Sequence, residues 1–123
     1  MTNPKLALIV EDEADLAVIF STALQKAGYK VDVATNGEEA LTKLQGETPY
    51  LILLDLHLPK ISGQEILEQI HDDPKFADSR IIVASADARR AANLEEKASF
   101  VLIKPIDFYQ LMRLGERLLP TVA

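Results

Sequence analysis

Four short apolar runs of the sequence each lead into a polar residue that can take part in phosphoryl or metal chemistry. The first run is followed by Glu11 and Asp12, and the second ends at Asp55. The other two end at Ser85 and at Lys104. If the runs are strands of one parallel sheet, their carboxyl ends meet at one edge, where ligands bind in open α/β sheets. Carboxylates, a hydroxyl and an amine around one point suit a divalent cation and a phosphoryl group.

Strand-like and helix-like segments alternate five times along the chain, which predicts five βα units. Apolar runs predict strands at Lys5–Val10, Tyr29–Ala34, Tyr50–Leu54, Arg80–Ala84 and Phe100–Ile103. Helical spacing and capping residues predict helices at Ala14–Ala27, between Asn36 and Gly46, at Gln64–His71, at Asp87–Lys97 and after Asp107. Because crossovers between parallel strands are right-handed, we expect an α/β fold with a doubly wound parallel sheet. The periodicity leaves the strand order open.

Length, charge and composition exclude several classes of protein. The chain has 123 residues, which fits one domain and is too short for two ordinary ones. Its net charge of −6 argues against a general nucleic-acid binder. Its apolar runs are far shorter than a membrane-spanning helix needs, and Met1–Lys5 lacks a secretory pattern. Without cysteine, disulfides and thiolate metal sites are excluded.

The acidic residues predict a cation site. Glu11, Asp12 and Asp55 would lie close together if the first and third strands are neighbours in the sheet. Like charges at that distance repel and raise one another's pKa, and a bound cation would offset the repulsion. Oxygen ligands with room for water favour Mg²⁺. Taken singly, each acid has the simpler interpretation of a solvated loop or helix-capping residue.

Asp55 has the position of a nucleophile, because the very apolar run Leu51–Leu54 fixes it at the end of a central strand. A carboxylate there can attack phosphorus and form an aspartyl phosphate. Lys104 can pair first with the carboxylate and then with the phosphoryl group, although a single lysine is equally typical of a surface. Ser85 can donate a hydrogen bond to a phosphoryl oxygen, although a serine near Asp87 is also a typical helix cap.

The segments LIVEDE, LLDLHLPKISG, VASA and IKP occur in this order. With them the chain resembles the receiver domain of two-component response regulators along nearly its whole length. The pattern Asp-x-x-Leu-Pro-x-x-x-Gly from Asp55 to Gly63 is the most specific part. The resemblance implies a flavodoxin-like (βα)5 fold with strand order 2-1-3-4-5.

The same resemblance implies a signalling switch rather than an enzyme with a separate substrate. Asp55 would be phosphorylated by a sensor histidine kinase or a phosphotransfer protein, and the signal would pass to a downstream protein target. Ser85 and Lys104 would occupy the hydroxyl and lysine positions of the family. The implied Mg²⁺ ligands are Glu11 (through water), Asp12, Asp55 and the backbone carbonyl of His57.

The sequence departs from the usual receiver pattern at two places. Many receivers carry an aromatic residue three positions before the lysine, where this chain has Val101. Phe100 is a poor substitute because neighbouring strand residues point to opposite faces. Lys97-Ala98-Ser99 stands where a Gly-Ala pair is common, which would alter only a turn.

Three alternatives compete with the phosphorylated receiver. A haloacid-dehalogenase-type phosphatase would have a second aspartate where His57 stands, and usually a cap domain. A flavodoxin-like cofactor binder would have a Ser, Thr and Gly-rich first loop rather than Glu11-Asp12-Glu13. A receiver-like docking module that takes no phosphate is disfavoured by the complete acidic set.

We expect residues 1–123 to form a single, stand-alone receiver domain, because only Pro120–Ala123 follow the last helix and the chain begins with methionine. The expected location is the cytoplasm, and the expected state is a monomer or weak dimer without nucleic-acid or membrane partners. Val18 falls outside the inward face of the first helix. It is a candidate for part of a kinase-docking surface, although a scattered exposed apolar residue is the more common interpretation.

Overall fold

A computed structural model describes residues 4–92 and 97–120, and its elements alternate as predicted. The strands are β1 (Leu6–Val10), β2 (Lys30–Ala34), β3 (Leu51–Asp55), β4 (Arg80–Ser85) and β5 (Phe100–Ile103). The helices are α1 (Ala14–Ala27), α2 (Gly37–Gly46), α3 (Gly63–Asp72), α4 (Ala88–Ala92) and α5 (Phe108–Leu118), with a 3₁₀ turn at Pro74–Phe76. In these two ranges, no helix combines the length and the apolar character required to cross a membrane.

The five strands form one parallel sheet in the order β2-β1-β3-β4-β5, which confirms the expected fold. Val10 pairs with Leu54, and Asp55 pairs with Ala84 on β4. On its other side β4 pairs with β5, and there Ser85 lies opposite Ile103. This register ends four strands at nearly the same level, so the residues that follow them share one edge.

Apolar residues on both faces of the sheet form two core clusters. One cluster contains Leu8, Leu54 and Val83 together with residues of α2 and α3, and the other contains Ile9 and Leu53 together with residues of α1 and α5. All five residues of β3 are buried. A strand covered on both faces is apolar throughout rather than alternating, which is why the run before Asp55 has no polar residue.

Capping residues fix the ends of several helices. The side chains of Asn36, Ser62 and Asp107 each accept a hydrogen bond from the backbone N–H three residues later, at the starts of α2, α3 and α5. α1 ends at Gly28, whose φ of 113° lies in the left-handed region that glycine adopts readily. The caps at Asn36 and Asp107 and the end of α1 at Ala27 agree with the sequence predictions.

The fourth helix differs from the predicted span Asp87–Lys97. The described part of α4 is Ala88–Ala92, residues 93–96 lie outside the described ranges, and Lys97 belongs to a turn. Asp87 lies just before the helix, and its side chain accepts a hydrogen bond from the N–H of Arg89 at 2.9 Å. Asp87 therefore acts as a cap rather than as the first helical residue.

Two tyrosines hold the last helix against the rest of the domain. The buried hydroxyl of Tyr29 donates to the carbonyl of Gly115 at 2.7 Å, and the hydroxyl of Tyr50 donates to that of Leu118 at 2.6 Å. A Cβ atom on Gly115 would lie 2.9 Å from the Leu24 side chain. Glycine thus allows α5 to approach α1 closely.

Candidate functional site

Burial of polar side chains marks the carboxyl edge of the sheet as the candidate site. In the part of the chain that the structure describes, the buried polar or charged residues are Glu11, Asp55 and Ser85, each no more than 2% exposed. They follow or end β1, β3 and β4. Burial of a polar group costs free energy unless partners compensate, so three such groups at one edge indicate a functional site.

Asp55 is held in one orientation by two donors. Its Oδ1 accepts a hydrogen bond from the backbone N–H of His57 at 3.0 Å. Its Oδ2 accepts one from Lys104 Nζ at 3.2 Å. The carboxylate therefore lies at the carboxyl end of a rigid, buried strand with both oxygens oriented. A fixed carboxylate has less conformational freedom to lose when it attacks a phosphoryl group.

Gly63 lets the first turn of α3 lie directly against the end of β3. A Cβ atom at this position would lie 2.2 Å from the carbonyl oxygen of Asp55 and 2.7 Å from Leu56 Cα. The backbone N–H of Gly63 also donates to the Leu56 carbonyl at 3.3 Å. The glycine of the Asp-x-x-Leu-Pro-x-x-x-Gly pattern is thus required by close backbone approach next to Asp55.

Lys104 and Glu11 form the second half of the site. Lys104 Nζ donates to Glu11 Oε1 at 3.1 Å, and Glu11 Oε2 accepts a hydrogen bond from the Glu13 N–H at 3.2 Å. Burial lowers the pKa of Lys104, but the charges and hydrogen bonds of Asp55 and Glu11 outweigh this effect and leave the pKa above its ordinary value. The ammonium is therefore firmly protonated at neutral pH.

Burial and the negative charge of Asp55 both raise the pKa of Glu11. Desolvation raises the pKa of Glu11 to about 7, assisted by the charge of Asp55 and opposed by the Glu13 N–H and by Lys104. The ionised form of this carboxyl is thus costly in the protein without a cation. A nearby positive ion would favour the ionised form.

Glu11, Asp12 and Asp55 form a donor set that fits a hard divalent cation. One oxygen of each lies within 4.8 Å of the others, and Asp12 is exposed whereas its two companions are buried. Three ionised carboxylates and the Lys104 ammonium carry a net charge of −2, which a divalent cation neutralises. Oxygen ligands with one open side suit Mg²⁺, which retains several waters. The backbone carbonyl of His57 stays a predicted fourth ligand.

Ser85 is fully buried and its hydroxyl already has two partners. The Oγ donates to the Asp87 carbonyl at 3.1 Å and accepts from the Asp87 N–H at 3.0 Å. This is the capping arrangement that the sequence allowed as the alternative interpretation of Ser85. To serve a phosphoryl group, the hydroxyl must turn away from Asp87, which is bonded to the first turn of α4.

The structure also shows where the remaining residues discussed in the sequence analysis lie. Val101 packs against the core cluster on the α2 and α3 face, whereas Phe100 is 41% exposed, so Phe100 does not replace the missing aromatic. Val18 is 66% exposed, as its helical position predicts. Sequence reasoning missed a contact between His57 and Arg90, because neither residue stands in a pattern that indicates a partner.

Comparison with known proteins identifies the family. The sequence model of the response regulator receiver domain matches residues 7–115. The chain belongs to this receiver family. The receiver is 42% identical over 102 residues to the alkaline phosphatase synthesis transcriptional regulatory protein PhoP of Bacillus subtilis, covering 82% of the chain and 42% of that protein. It is 34% identical over 112 residues to the phosphate regulon transcriptional regulatory protein PhoB of Rhizobium meliloti, covering 89% of the chain and 49% of that protein.

The receiver spans about half the length of these curated relatives, but it corresponds to nearly whole chains among solved structures. The chemotaxis response regulator CheY4 of Vibrio cholerae superposes with a TM-score of 0.85 at 25% identity, covering 95% of this chain and all of that one. The response regulator TrrA of Thermotoga maritima, solved in complex with Mg²⁺ and BeF, gives a TM-score of 0.82 at 34% identity and covers 94% and 99% of the two chains.

Proposed function

We propose that this receiver accepts a phosphoryl group on Asp55 from the phosphohistidine of a sensor histidine kinase or a phosphotransfer protein. The observation that carries the proposal is the environment of Asp55. Asp55 is 2% exposed, and its carboxylate is oriented by His57 and Lys104 and lies beside the acidic groups of Glu11 and Asp12. These contacts fit a nucleophile that reacts with a phosphoryl group next to a cation site.

In the proposed transfer, an Asp55 carboxylate oxygen attacks phosphorus and the P–N bond of the donor breaks. The electron pair of that bond remains on the imidazole nitrogen, and the product is a mixed anhydride on Asp55. Lys104 is within hydrogen-bond distance of the carboxylate and has a raised pKa, so it stays charged and can follow the charge onto a phosphoryl oxygen. Mg²⁺ held by Glu11, Asp12, Asp55 and the His57 carbonyl would offset charge on the transferring oxygens.

Ser85 would carry the signal away from the site. When a phosphoryl group is present, its oxygens offer the Ser85 hydroxyl a charged acceptor in place of the Asp87 carbonyl. Only Ala86 and Asp87 separate Ser85 from α4, so movement of Ser85 towards the phosphoryl group would displace that helix. The altered surface of α4, β5 and α5 would then be recognised by a downstream protein.

Phosphotransfer profiling tests the donor class. The receiver is mixed with each purified, prephosphorylated histidine kinase and phosphotransfer protein of its source organism, and transfer is timed. We expect fast transfer from one or a few donors, with none to Asp55→Asn and wild-type transfer to Asp78→Asn. Asp78 is an exposed aspartate just before β4, at the opposite edge of the sheet, and so provides the matched control. Failure of all donors to label the wild-type receiver would contradict the proposal.

A further inference from the structure

A side-chain contact crosses from α4 to the loop after β3. Arg90 Nη1 lies 3.4 Å from His57 Nδ1. A guanidinium group can only donate hydrogen bonds, so the imidazole nitrogen is the acceptor. Both side chains are exposed, and neither has a role in the transfer described above. Their contact nevertheless joins the segment that follows β3 to the helix that follows β4.

Each end of this contact is bonded to a group at the centre of the site. On one side, the backbone N–H of His57 donates to Asp55 Oδ1 at 3.0 Å. On the other, Arg90 lies in α4, whose capping residue Asp87 holds the Ser85 hydroxyl through its backbone. Asp55 pairs with Ala84, the residue before Ser85 on β4. The contact thus closes a ring of interactions that includes both the acceptor and the hydroxyl.

This ring opposes the movement that phosphorylation requires. Ser85 must release Asp87 to reach a phosphoryl oxygen, and the short connection makes α4 shift with it. A shift of α4 moves Arg90 relative to His57, whose backbone is fixed to Asp55. The contact between the two side chains would therefore be weakened or lost in the phosphorylated arrangement.

We propose that His57 and Arg90 are positioning residues that hold α4 in the arrangement of the unphosphorylated receiver. The inference rests on the proposed function of Asp55. Because the contact stabilises only the starting arrangement, it lowers the affinity of the site for a bound phosphoryl group. An exposed side-chain contact of this kind corresponds to about a two- to fivefold effect on that affinity.

A purely electrostatic role for Arg90 would have the opposite sign. If the guanidinium served to attract the anionic group, its removal would weaken binding at the site. Arg89 supplies the matched control, because it carries the same charge on the next residue of α4 and only its backbone N–H makes a described hydrogen bond, to Asp87.

Affinity for beryllofluoride with Mg²⁺, a mimic of the phosphoryl group, tests the inference. We expect Arg90→Ala and His57→Ala each to bind about two- to fivefold more tightly than wild type. The double variant should bind no more tightly than either single one, because both changes remove the same contact. Arg89→Ala should bind like wild type. Weaker binding by Arg90→Ala, equal shifts in the two arginine variants, or additive effects in the double variant would overturn the inference.

Amide exchange of the protein without beryllofluoride tests the contact independently of phosphoryl chemistry. Arg90→Ala should speed exchange at Ala88–Ala92 and in residues 56–62, whereas Arg89→Ala should leave the latter loop unchanged. Unchanged exchange in Arg90→Ala would overturn the inference even if the receiver binds beryllofluoride. Absence of beryllofluoride binding by the wild-type protein, with the exchange result as expected, would instead count against the proposed function and against the role of the contact in it.

Discussion

Lys104 Nζ lies 3.2 Å from Asp55 Oδ2, although Lys104 follows β5 and Asp55 ends β3, two strands away in the sheet. The same nitrogen lies 3.1 Å from Glu11 Oε1, beyond the end of β1. One ammonium is therefore shared by two buried carboxylates. This arrangement offsets part of the repulsion between the two carboxylates, and it places a cation where the charge of a phosphoryl group would appear.

Replacement of Lys104 by methionine should destabilise the protein and strengthen its response to Mg²⁺. The change leaves Glu11 and Asp55 buried without their shared partner, which should lower the free energy of unfolding by about 1–3 kcal/mol. It also makes the site more negative, so Mg²⁺ should restore more stability in Lys104→Met than in wild type. Urea unfolding with and without Mg²⁺ measures both effects. Lys26→Met on the exposed side of α1 is the control, and equal behaviour of the two variants would contradict the pairing.

Mg²⁺ should stabilise the wild-type fold through the acidic set. At a free concentration ten times the dissociation constant, the expected gain in unfolding free energy is about 1.4 kcal/mol. Asp12→Asn removes one donor charge from the exposed side of the site and should reduce this gain, whereas Asp78→Asn should keep it. Thermal melts over a Mg²⁺ titration give the comparison. Identical shifts in both variants would mean that Mg²⁺ binds elsewhere.

Addition of one methyl group at Gly63 should disturb both the fold and the site. Its Cβ would overlap the Asp55 carbonyl and Leu56, so we expect Gly63→Ala to lose about 2–3 kcal/mol of stability. Gly46→Ala is the control, because no atom beyond its chain neighbours and the nearby helix backbone lies within 4 Å of its Cβ, and alanine favours a helix. Urea unfolding of the two variants measures this difference in stability. Equal unfolding midpoints would show that the close approach at Gly63 is unimportant.

Alkaline conditions should weaken the protein in part through Tyr29. Burial raises the pKa of Tyr29 above its ordinary value of 10.0, and its hydroxyl donates to Gly115. Above pH 10 the unfolded chain releases this proton while the folded chain keeps it, so stability from this group falls as pH rises. The loss approaches about 1.4 kcal/mol per pH unit. Comparison of wild type with Tyr29→Phe between pH 9 and 12 should show a shallower decline in the variant; parallel declines would contradict this assignment.

Much of the fold and the centre of the site follow from local sequence patterns. The apolar run before Asp55 predicts a doubly covered strand, and the structure buries all of β3. The alternation of strand-like and helix-like segments predicts that Glu11, Asp55 and Lys104 lie at strand ends. A parallel sheet brings such ends together, and the three side chains are in contact. The strand order required the family resemblance, because periodicity shows which residues face the core and not which strands are neighbours.

Contacts between distant surface side chains could not be predicted in the same way. The contact of His57 with Arg90 depends on the placement of α4 relative to the loop after β3, and neither residue stands in an apolar pattern. The predicted end of α4 is also wrong, because Lys97 belongs to a turn before β5. Strand alternation, by contrast, correctly separates Phe100 from Val101: Phe100 is exposed, whereas Val101 packs against the core.

The most direct test of the account is to map the phosphorylated residue. The receiver is incubated with a small acyl phosphate donor with and without Mg²⁺, and the modified peptide is sequenced by mass spectrometry. We expect one phosphoryl group, on Asp55, formed only with Mg²⁺, absent from Asp55→Asn and present in Asp78→Asn. Labelling of Asp55→Asn at the wild-type level, or a modification mapped to another residue of the wild-type protein, would contradict it.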